Sequence, residues 1–406
     1  MRLMRLVAMS LPLLAFAANA PLPAQSTAAD AAAAAPATKR AKHTDPSIAG
    51  SEPVRLAAQA LLVDSVRVGE DIIAVGERGT IVRGAGASWR QVAAIPTRAS
   101  LTAAHAVDRE IWVVGHDGVI LHSGDAGLTW QRQRVDAWDA ESADPQSGVP
   151  LLDVLFLDAQ HGFAVGAYSL FLETRDGGKT WTRRSLLAGS PGLADAPEDS
   201  GEVVAEVDDA ADAVAAEDAD AESPTAPEDE ADAENETWNF SADELDLEQE
   251  SDPHLNAIAR TGSGGLIIAS ERGTAFRSRD RGVTWQRLKL PYAGSMFGAL
   301  GFDGDHALLF GLRGNVLETQ DLGDTWQVVD SGVEASLMGG SATGDGGALV
   351  VGANGVMLRR GNASQAFEVL RYRTQEGESP ILAGVITDAR GGIVVLGERG
   401  IAPFRN

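Results

Sequence analysis

The chain has 406 residues, of which 44% are hydrophobic, with 45 glycines, 17 prolines and no cysteine. The lack of thiols excludes disulfides, thiolate metal sites and a lipid anchor on an N-terminal cysteine. The formal net charge of −25 argues against nucleic-acid binding, but it is concentrated: 24 of the 58 acidic residues lie between Asp195 and Asp252, and the other 34 nearly balance the 33 Lys and Arg.

Residues 1–20 read as a secretory signal peptide, in which Arg2 and Arg5 precede a short apolar run from Leu6 to Ala18 and small residues stand at Ala15, Ala17, Ala18 and Ala20. The run is too short for a membrane span, and no other stretch reaches about 18 apolar residues. Residues 21–52, rich in Ala, Thr and Pro, are expected to form a flexible leader. These features predict export to a periplasm, or to a thylakoid lumen in a photosynthetic source.

From residue 53 the sequence repeats. An apolar run ending in a turn, in most copies Gly-rich, occurs seven times: IIAVGERGTIVR at 72–83, IWVVGHDGVILH at 111–122, GFAVGAYSLFLE at 162–173, LIIASERGTAFR at 266–277, ALLFGLRGNVLE at 307–318, ALVVGANGVMLR at 348–359 and IVVLGERGIAPF at 393–404. Between these lie SGDAGLTW at 123–130, TRDGGKTW at 174–181, SRDRGVTW at 278–285 and TQDLGDTW at 319–326. Degenerate copies end at Trp89 and Phe367, and the spacings from Trp89 to Trp130, Trp285 to Trp326 and Trp326 to Phe367 are each 41 residues. A period near 40 with four short strands per unit predicts an all-β, seven-bladed β-propeller over residues 53–406. The seventh copy has no Trp-ending string, so an early strand around Pro53–Gln59 is expected to complete the last blade and close the ring.

The Trp-ending strings read as hairpin clasps. Asp125, Asp176, Asp280 and Asp321 are placed to accept backbone N–H groups of their own turns, and the following Gly supplies the positive φ. The Thr hydroxyl is expected to satisfy a second turn group. Trp130, Trp181, Trp285 and Trp326 begin the next strand with a large apolar face. The string resembles the Asp-box (BNR) motif of propellers, and its role is structural.

Two insertions interrupt the period. Residues 137–150 form a short one. Residues 187–252 form a long Ala/Asp/Glu/Pro segment with the low hydrophobicity and self-repulsion of disorder; at its end Trp238, Phe240, Leu245 and Leu247 stand among carboxylates, as a segment that packs back on the propeller or docks a partner.

Candidate binding residues come from the Gly-rich turns. Within a blade, strands run A to D from the axis outward, so B–C turns and D–A loops share one face and the Asp boxes occupy the other. Arg78, Arg272, Arg313 and Arg399 fall at matching B–C turns, two pairs of them in neighbouring blades. Arg at an exposed turn can be merely solvated, and the neighbours Glu77, Glu271 and Glu398 partly cancel it; as a cluster, these Arg suit an acidic or carboxylate-bearing protein partner. Catalytic features are missing. The seven His (His43, His105, His116, His122, His161, His254, His306) have no metal-ligand spacing, no nucleophile elbow or phosphate loop occurs, and no cofactor is called for. A sialidase would need three Arg on a carboxylate, a Tyr–Glu pair and an Asp, but the only Tyr are Tyr168, Tyr292 and Tyr372. A glycan- or peptide-binding module and an Asp-box glycoside hydrolase stand as alternatives.

The combination of a signal peptide with these turns and DGGKTW-type boxes resembles the photosystem II stability/assembly factor family, and the resemblance covers residues 53–406 apart from the insert. The resemblance implies a lumenal or periplasmic seven-bladed propeller with an Arg patch at Arg78, Arg272, Arg313 and Arg399, which assists assembly of a membrane complex. In a non-photosynthetic bacterium it implies an accessory of an envelope exporter.

Overall fold

The computed structural model describes residues 45–86, 88–136, 148–186 and 252–405. The signal segment, most of the leader and the bulk of both insertions lie outside the described residues. The rest forms seven antiparallel sheets of consecutive strands.

Blade 1 holds β1 (Leu62–Val68), β2 (Asp71–Gly76), β3 (Ile81–Ala85) and β4 (Ser88–Gln91). Blade 2 holds β5 (Leu101–Val107), β6 (Glu110–Gly115), β7 (Ile120–Ser123) and β8 (Gln131–Arg134). Blade 3 holds β9 (Leu151–Phe156), β10 (Gly162–Gly166), β11 (Phe171–Thr174) and β12 (Thr182–Arg183). Blade 4 holds β13 (Leu255–Arg260), β14 (Leu266–Ser270), β15 (Thr274–Ser278) and β16 (Gln286–Lys289). Blade 5 holds β17 (Met296–Gly301), β18 (Ala307–Gly311), β19 (Val316–Thr319) and β20 (Gln327–Val329). Blade 6 holds β21 (Leu337–Ala342), β22 (Ala348–Gly352), β23 (Val356–Arg360) and β24 (Glu368–Arg371). Blade 7 holds β25 (Leu382–Thr387), β26 (Ile393–Gly397) and β27 (Gly400–Pro403).

The continuous apolar runs are explained by two-sided burial. On β2, Ile73 and Val75 pack against blade 2 while Ile72 and Ala74 pack against blade 7; alternate side chains of one strand thus feed two different cores. The innermost strands contact one another in sequence around the axis, β1 to β5, β9, β13, β17, β21, β25 and back to β1. Each carries a bulge at its start that skips one residue of the pairing, as at Val63 between Leu62 and Asp64.

The Asp boxes form as the sequence requires. Asp125 Oδ1 accepts the N–H groups of Leu128 at 3.0 Å and Thr129 at 2.9 Å, and Gly127, Gly178, Gly282 and Gly323 have φ between 82° and 89°. The Thr hydroxyl does not cap the turn but donates to the Asp, Thr129 Oγ1 to Asp125 Oδ2 at 2.6 Å. Instead the first residue of the box caps the turn, Ser123 Oγ accepting the N–H of Gly127 at 2.9 Å. The ring of each box aromatic enters the core shared with the preceding blade, Trp130 between blades 1 and 2 and Trp285 between blades 3 and 4.

Two boundaries differ from expectation. Residues 53–59 form no strand. Ala57–Gln59 is a 3-10 turn resting on blade 7, with Ala57 in the core beside Val394 and Ile401, and blade 7 keeps three strands. The chain upstream is held elsewhere: residues 45–51, expected in the leader, bind the β4–β5 loop through Ser51 N–H to Ile95 O at 2.8 Å and Arg98 N–H to Pro46 O at 2.8 Å. Closure rests on packing between blades 1 and 7 and on Arg67 Nη1, which donates to the carbonyls of Thr387 and Asp388 at 3.3 Å each.

Candidate partner-binding face

The B–C turns carry the candidate arginines on one face. Arg78 and Arg313 adopt φ 53°, ψ 35° and φ 55°, ψ 35°, and Arg272 has φ 55°. This left-handed conformation is adverse for a residue with a long side chain. The glycine that follows cannot be replaced: a Cβ on Gly79, Gly273 or Gly314 would collide with the carbonyl oxygen of Thr97, Tyr292 or Val333 in the neighbouring D–A loop. Asp117, Ser169 and Asn354 hold the corresponding left-handed position in blades 2, 3 and 6. Arg399 differs, because Gly397 and Gly400 pair directly and make a two-residue turn. Its guanidinium pairs with Glu378 at 2.7 Å and the side chain is 61% exposed.

The acidic neighbours of Arg78, Arg272 and Arg399 each accept a backbone N–H. Glu77 accepts the Leu61 N–H at 3.2 Å, Glu271 the His254 N–H at 3.3 Å and Glu398 the Ile381 N–H at 3.0 Å. In three blades the same carboxylate therefore clips the residue that precedes the innermost strand. Arg78 is left 72% exposed with only a long contact to Glu52 at 3.9 Å. Apolar side chains stand on the same face: Leu61 and Ile381 before their inner strands, Met338 at the bulge of β21 and Tyr168 in a B–C turn are all exposed. Cationic and apolar groups are thus interleaved there, a composition suited to a polypeptide ligand.

Beneath this face, polar side chains tie the inner strands of blades 1 to 4. Asp64 Oδ2 accepts the Ala104 N–H at 2.8 Å, His105 Nδ1 accepts the Phe156 N–H at 3.3 Å and Asp153 Oδ2 accepts the Ile258 N–H at 2.8 Å. Those N–H groups lie on the strand edge that faces the axis, where no further strand can pair with them. Burial pushes the carboxyls up, Asp64 to about 6 and Asp153 to about 7, and pushes His105 down to about 4. A second cluster lies on the box side, where Glu318 takes His306 Nε2 at 2.6 Å and both terminal nitrogens of Arg360 at 2.6 and 3.0 Å.

The sequence reading missed both groups. One signal was available: Asp71 with Arg83, Glu110 with His122, His161 with Glu173 and His306 with Glu318 are each twelve residues apart and pair across strands. No group of three or more His, Asp or Glu among the described residues is arranged to hold a metal.

The sequence model of the Photosynthesis system II assembly factor YCF48 family matches residues 133–194, which include blade 3. The Photosystem II assembly lipoprotein Ycf48 of Prochlorococcus marinus is 60% identical over 35 residues, 9% of this chain and 10% of that protein. Its counterpart in Parasynechococcus marenigrum is 45% identical over 49 residues, 12% of this chain and 14% of the relative. The aligned segments thus span only about a tenth of these relatives. A solved structure of YCF48 bound to D1 peptide superposes with a TM-score of 0.55 at 13% identity, covering 88% of this chain and 98% of that one. YCF48 from Cyanidioschyzon merolae gives 0.51 at 14% identity, over 86% and 95%. The WD40 propeller domain of Doa1 gives 0.54 at 9% identity, over 89% and 96%, so the structural likeness is to the propeller fold. The chain is photosystem II assembly factor-like in the sequence of this segment.

Proposed function

We propose that this protein is an exported, non-enzymatic propeller that holds a segment of a partner protein on its arginine-bearing face while a membrane complex is assembled. The observation that carries the reading is the retention of Arg78, Arg272 and Arg313 in left-handed turns where Gly or Asn would be at ease. A strained residue kept at three equivalent positions is better explained by a ligand than by the fold. The relative solved as YCF48 bound to D1 peptide offers a polypeptide ligand as precedent. The natural partner is then a photosystem II subunit in a photosynthetic source, or an envelope exporter elsewhere.

Cross-linking in native membranes tests this. The wild type should capture a membrane protein in a salt-sensitive manner, and a variant with Arg78, Arg272, Arg313 and Arg399 all replaced by Ala should not, at unchanged thermal stability. Equal capture by both would overturn the assignment of the face. The glycosidase alternative is decided by a fluorogenic glycoside panel, on which turnover above background would replace the scaffold reading.

A further inference from the structure

Six of the seven inter-blade cores receive an aromatic side chain from a C–D hairpin: Trp130, Trp181, Trp285, Trp326, Phe367 and Trp89. The core between blades 6 and 7 receives none from a C–D hairpin among the described residues; Tyr372, after β24, and Phe404, after β27, pack against it instead. The hairpin that would supply it belongs to blade 7, which has neither box nor fourth strand among the described residues.

The footprint of that hairpin can be read from the others. In blade 2 the box glycine Gly127 sits against Ile73 of β2 and Ile111 of β6. In blade 4, Gly282 sits against Phe163 of β10, and in blade 3 the carbonyl of Gly177 accepts Trp112 Nε1 of β6 at 3.1 Å. The positions corresponding to Ile73 and Ile111 in blades 6 and 7 are Leu349 and Ile393. Both line an open cleft of about 450 Å³, together with Thr343, Arg359, Gln365 and Ala366.

The outer edge of β27 has no strand paired to it among the described residues, although Ala57–Gln59 rests against its start. Phe404 N–H donates to Ile393 O, and Leu396 is opposite Ile401. By strand alternation the N–H and C=O of Ile401 and the C=O of Pro403 point away from β26. Pro403 has no N–H to leave unpaired, as is usual at an edge. Pairing of about this length is sufficient in the same ring, since β12 binds β11 through Thr182 and Arg183, followed by the Arg184 N–H on Phe171 O at 2.9 Å.

We propose that the cleft between blades 6 and 7 is a docking site for an extended segment of a partner polypeptide led by Trp or Phe. The segment adds to β27 as a fourth strand and seats its ring over Leu349 and Ile393. Such an interface continues one that the chain makes six times within itself, and that continuity fixes the chemistry of the occupant: an aromatic residue followed by a short strand with polar residues outward. The site lies on the face opposite the arginine turns and does not depend on what binds them.

The probe is a labelled peptide with the sequence of residues 319–330, and the control is the same peptide with its Trp replaced by Ala. The full-length chain should bind the first saturably and the second about tenfold or more weakly, as for an anchoring aromatic. Ala366→Trp, an exposed substitution at the mouth of the cleft, should abolish binding at unchanged melting temperature, and Ala366→Ser should retain it. A chain with the probe sequence fused after Asn406 should melt higher and reject free peptide. Equal binding of the two peptides, or undiminished binding by Ala366→Trp, would overturn the proposal. Binding only after deletion of residues 187–251 would overturn the partner assignment in favour of the chain's own Thr237–Phe240 segment. Concentration-dependent dimers dispersed by Ala366→Trp would overturn it in favour of a second copy.

Discussion

Asp153 on β9 accepts the N–H of Ile258 on β13 at 2.8 Å and, with its other oxygen, the N–H of Val154 at 2.7 Å. It joins two blades whose contacting residues are 105 apart in sequence, the span containing the acidic insertion. Burial raises its carboxyl to about 7; these two hydrogen bonds oppose that shift and the charge of Asp64 adds to it.

A pH dependence follows. Between the ordinary value of 3.8 and about 7, native Asp153 holds a proton that the unfolded chain releases, so its contribution to stability falls as pH rises across that window. Asp64 acts in the same sense between 3.8 and about 6. His105 acts in reverse: held at about 4 against 6.5, it costs stability as pH falls from 6.5 to 4. Asp153→Asn loses one of two acceptors at every pH but removes the carboxylate's slope. Relative to wild type it should gain about 1–2 kcal/mol between pH 5 and pH 8, less than the full shift implies because the side chain is only part-buried. Urea unfolding at both pH values measures this, and a pH-independent difference would contradict it.

The buried cluster makes the second prediction. Arg360 has a side chain only 1% exposed and both its terminal nitrogens bind Glu318. Burial alone would raise the Glu318 carboxyl, but the hydrogen bonds and charges of His306 and Arg360 outweigh it and hold the group at about 2. Glu318→Ala leaves Arg360 charged and unpaired between blades 5 and 6, which should cost about 3–5 kcal/mol. The ion pair's contribution is complete above 4.5 and fades as pH falls towards 2. Thermal melts of Glu318→Ala and Glu318→Gln from pH 3 to pH 7 should therefore show a gap to wild type that narrows towards the acid end without closing.

Much of the architecture was legible because each blade repeats the same local chemistry. The positive-φ glycine and the Asp that accepts its own turn's N–H groups are dictated within eight residues, so SGDAGLTW already specifies its hairpin. The arginine turns were legible for the same reason, since the Gly after each Arg marks a B–C turn. What escaped was what lies between blades. Asp64, His105 and Asp153 satisfy backbone N–H groups of another blade, and nothing in their local sequence announces it. Nor does adjacency in sequence announce that Glu77, Glu271 and Glu398 accept the backbone N–H before an inner strand. The closing strand expected over residues 53–59 is absent for a tertiary reason: Ala57 is taken into the core beside Val394 and Ile401 within a 3-10 turn.

The boxes should rank by their ring rather than by their carboxylate. Trp285 is 6% exposed and lies edge-on to Phe163 and Phe171 at 6.2 and 5.3 Å. Trp285→Ala should cost about 3–5 kcal/mol through the cavity it opens. Asp280→Ala removes the acceptor of Thr284 N–H and Thr284 Oγ1 at 2.9 and 2.6 Å, on an exposed turn where the net loss should be about 1–2 kcal/mol. Denaturant midpoints in the reverse order would show that the clasp, not the rivet, holds blades 3 and 4 together.

The strained arginines separate stability from function most cleanly. Arg78 and Arg313 occupy φ 53° and 55°, where glycine bears no Cβ penalty, so Arg78→Gly and Arg313→Gly should gain up to about 1 kcal/mol in that term, set against glycine's greater chain entropy when unfolded. If the face exists for a polypeptide partner, the same two changes should weaken capture of that partner and make what remains less sensitive to salt. Glu77→Ala and Glu271→Ala should do the opposite: each releases the backbone clip at Leu61 or His254 and lowers the melting temperature, while binding per folded molecule is retained. A pair of variants that is more stable yet binds less, beside a pair that is less stable yet binds normally, is a pattern that general destabilisation cannot produce. Glycine variants that bind as well as wild type would show that these turns keep their arginines for reasons unrelated to a ligand.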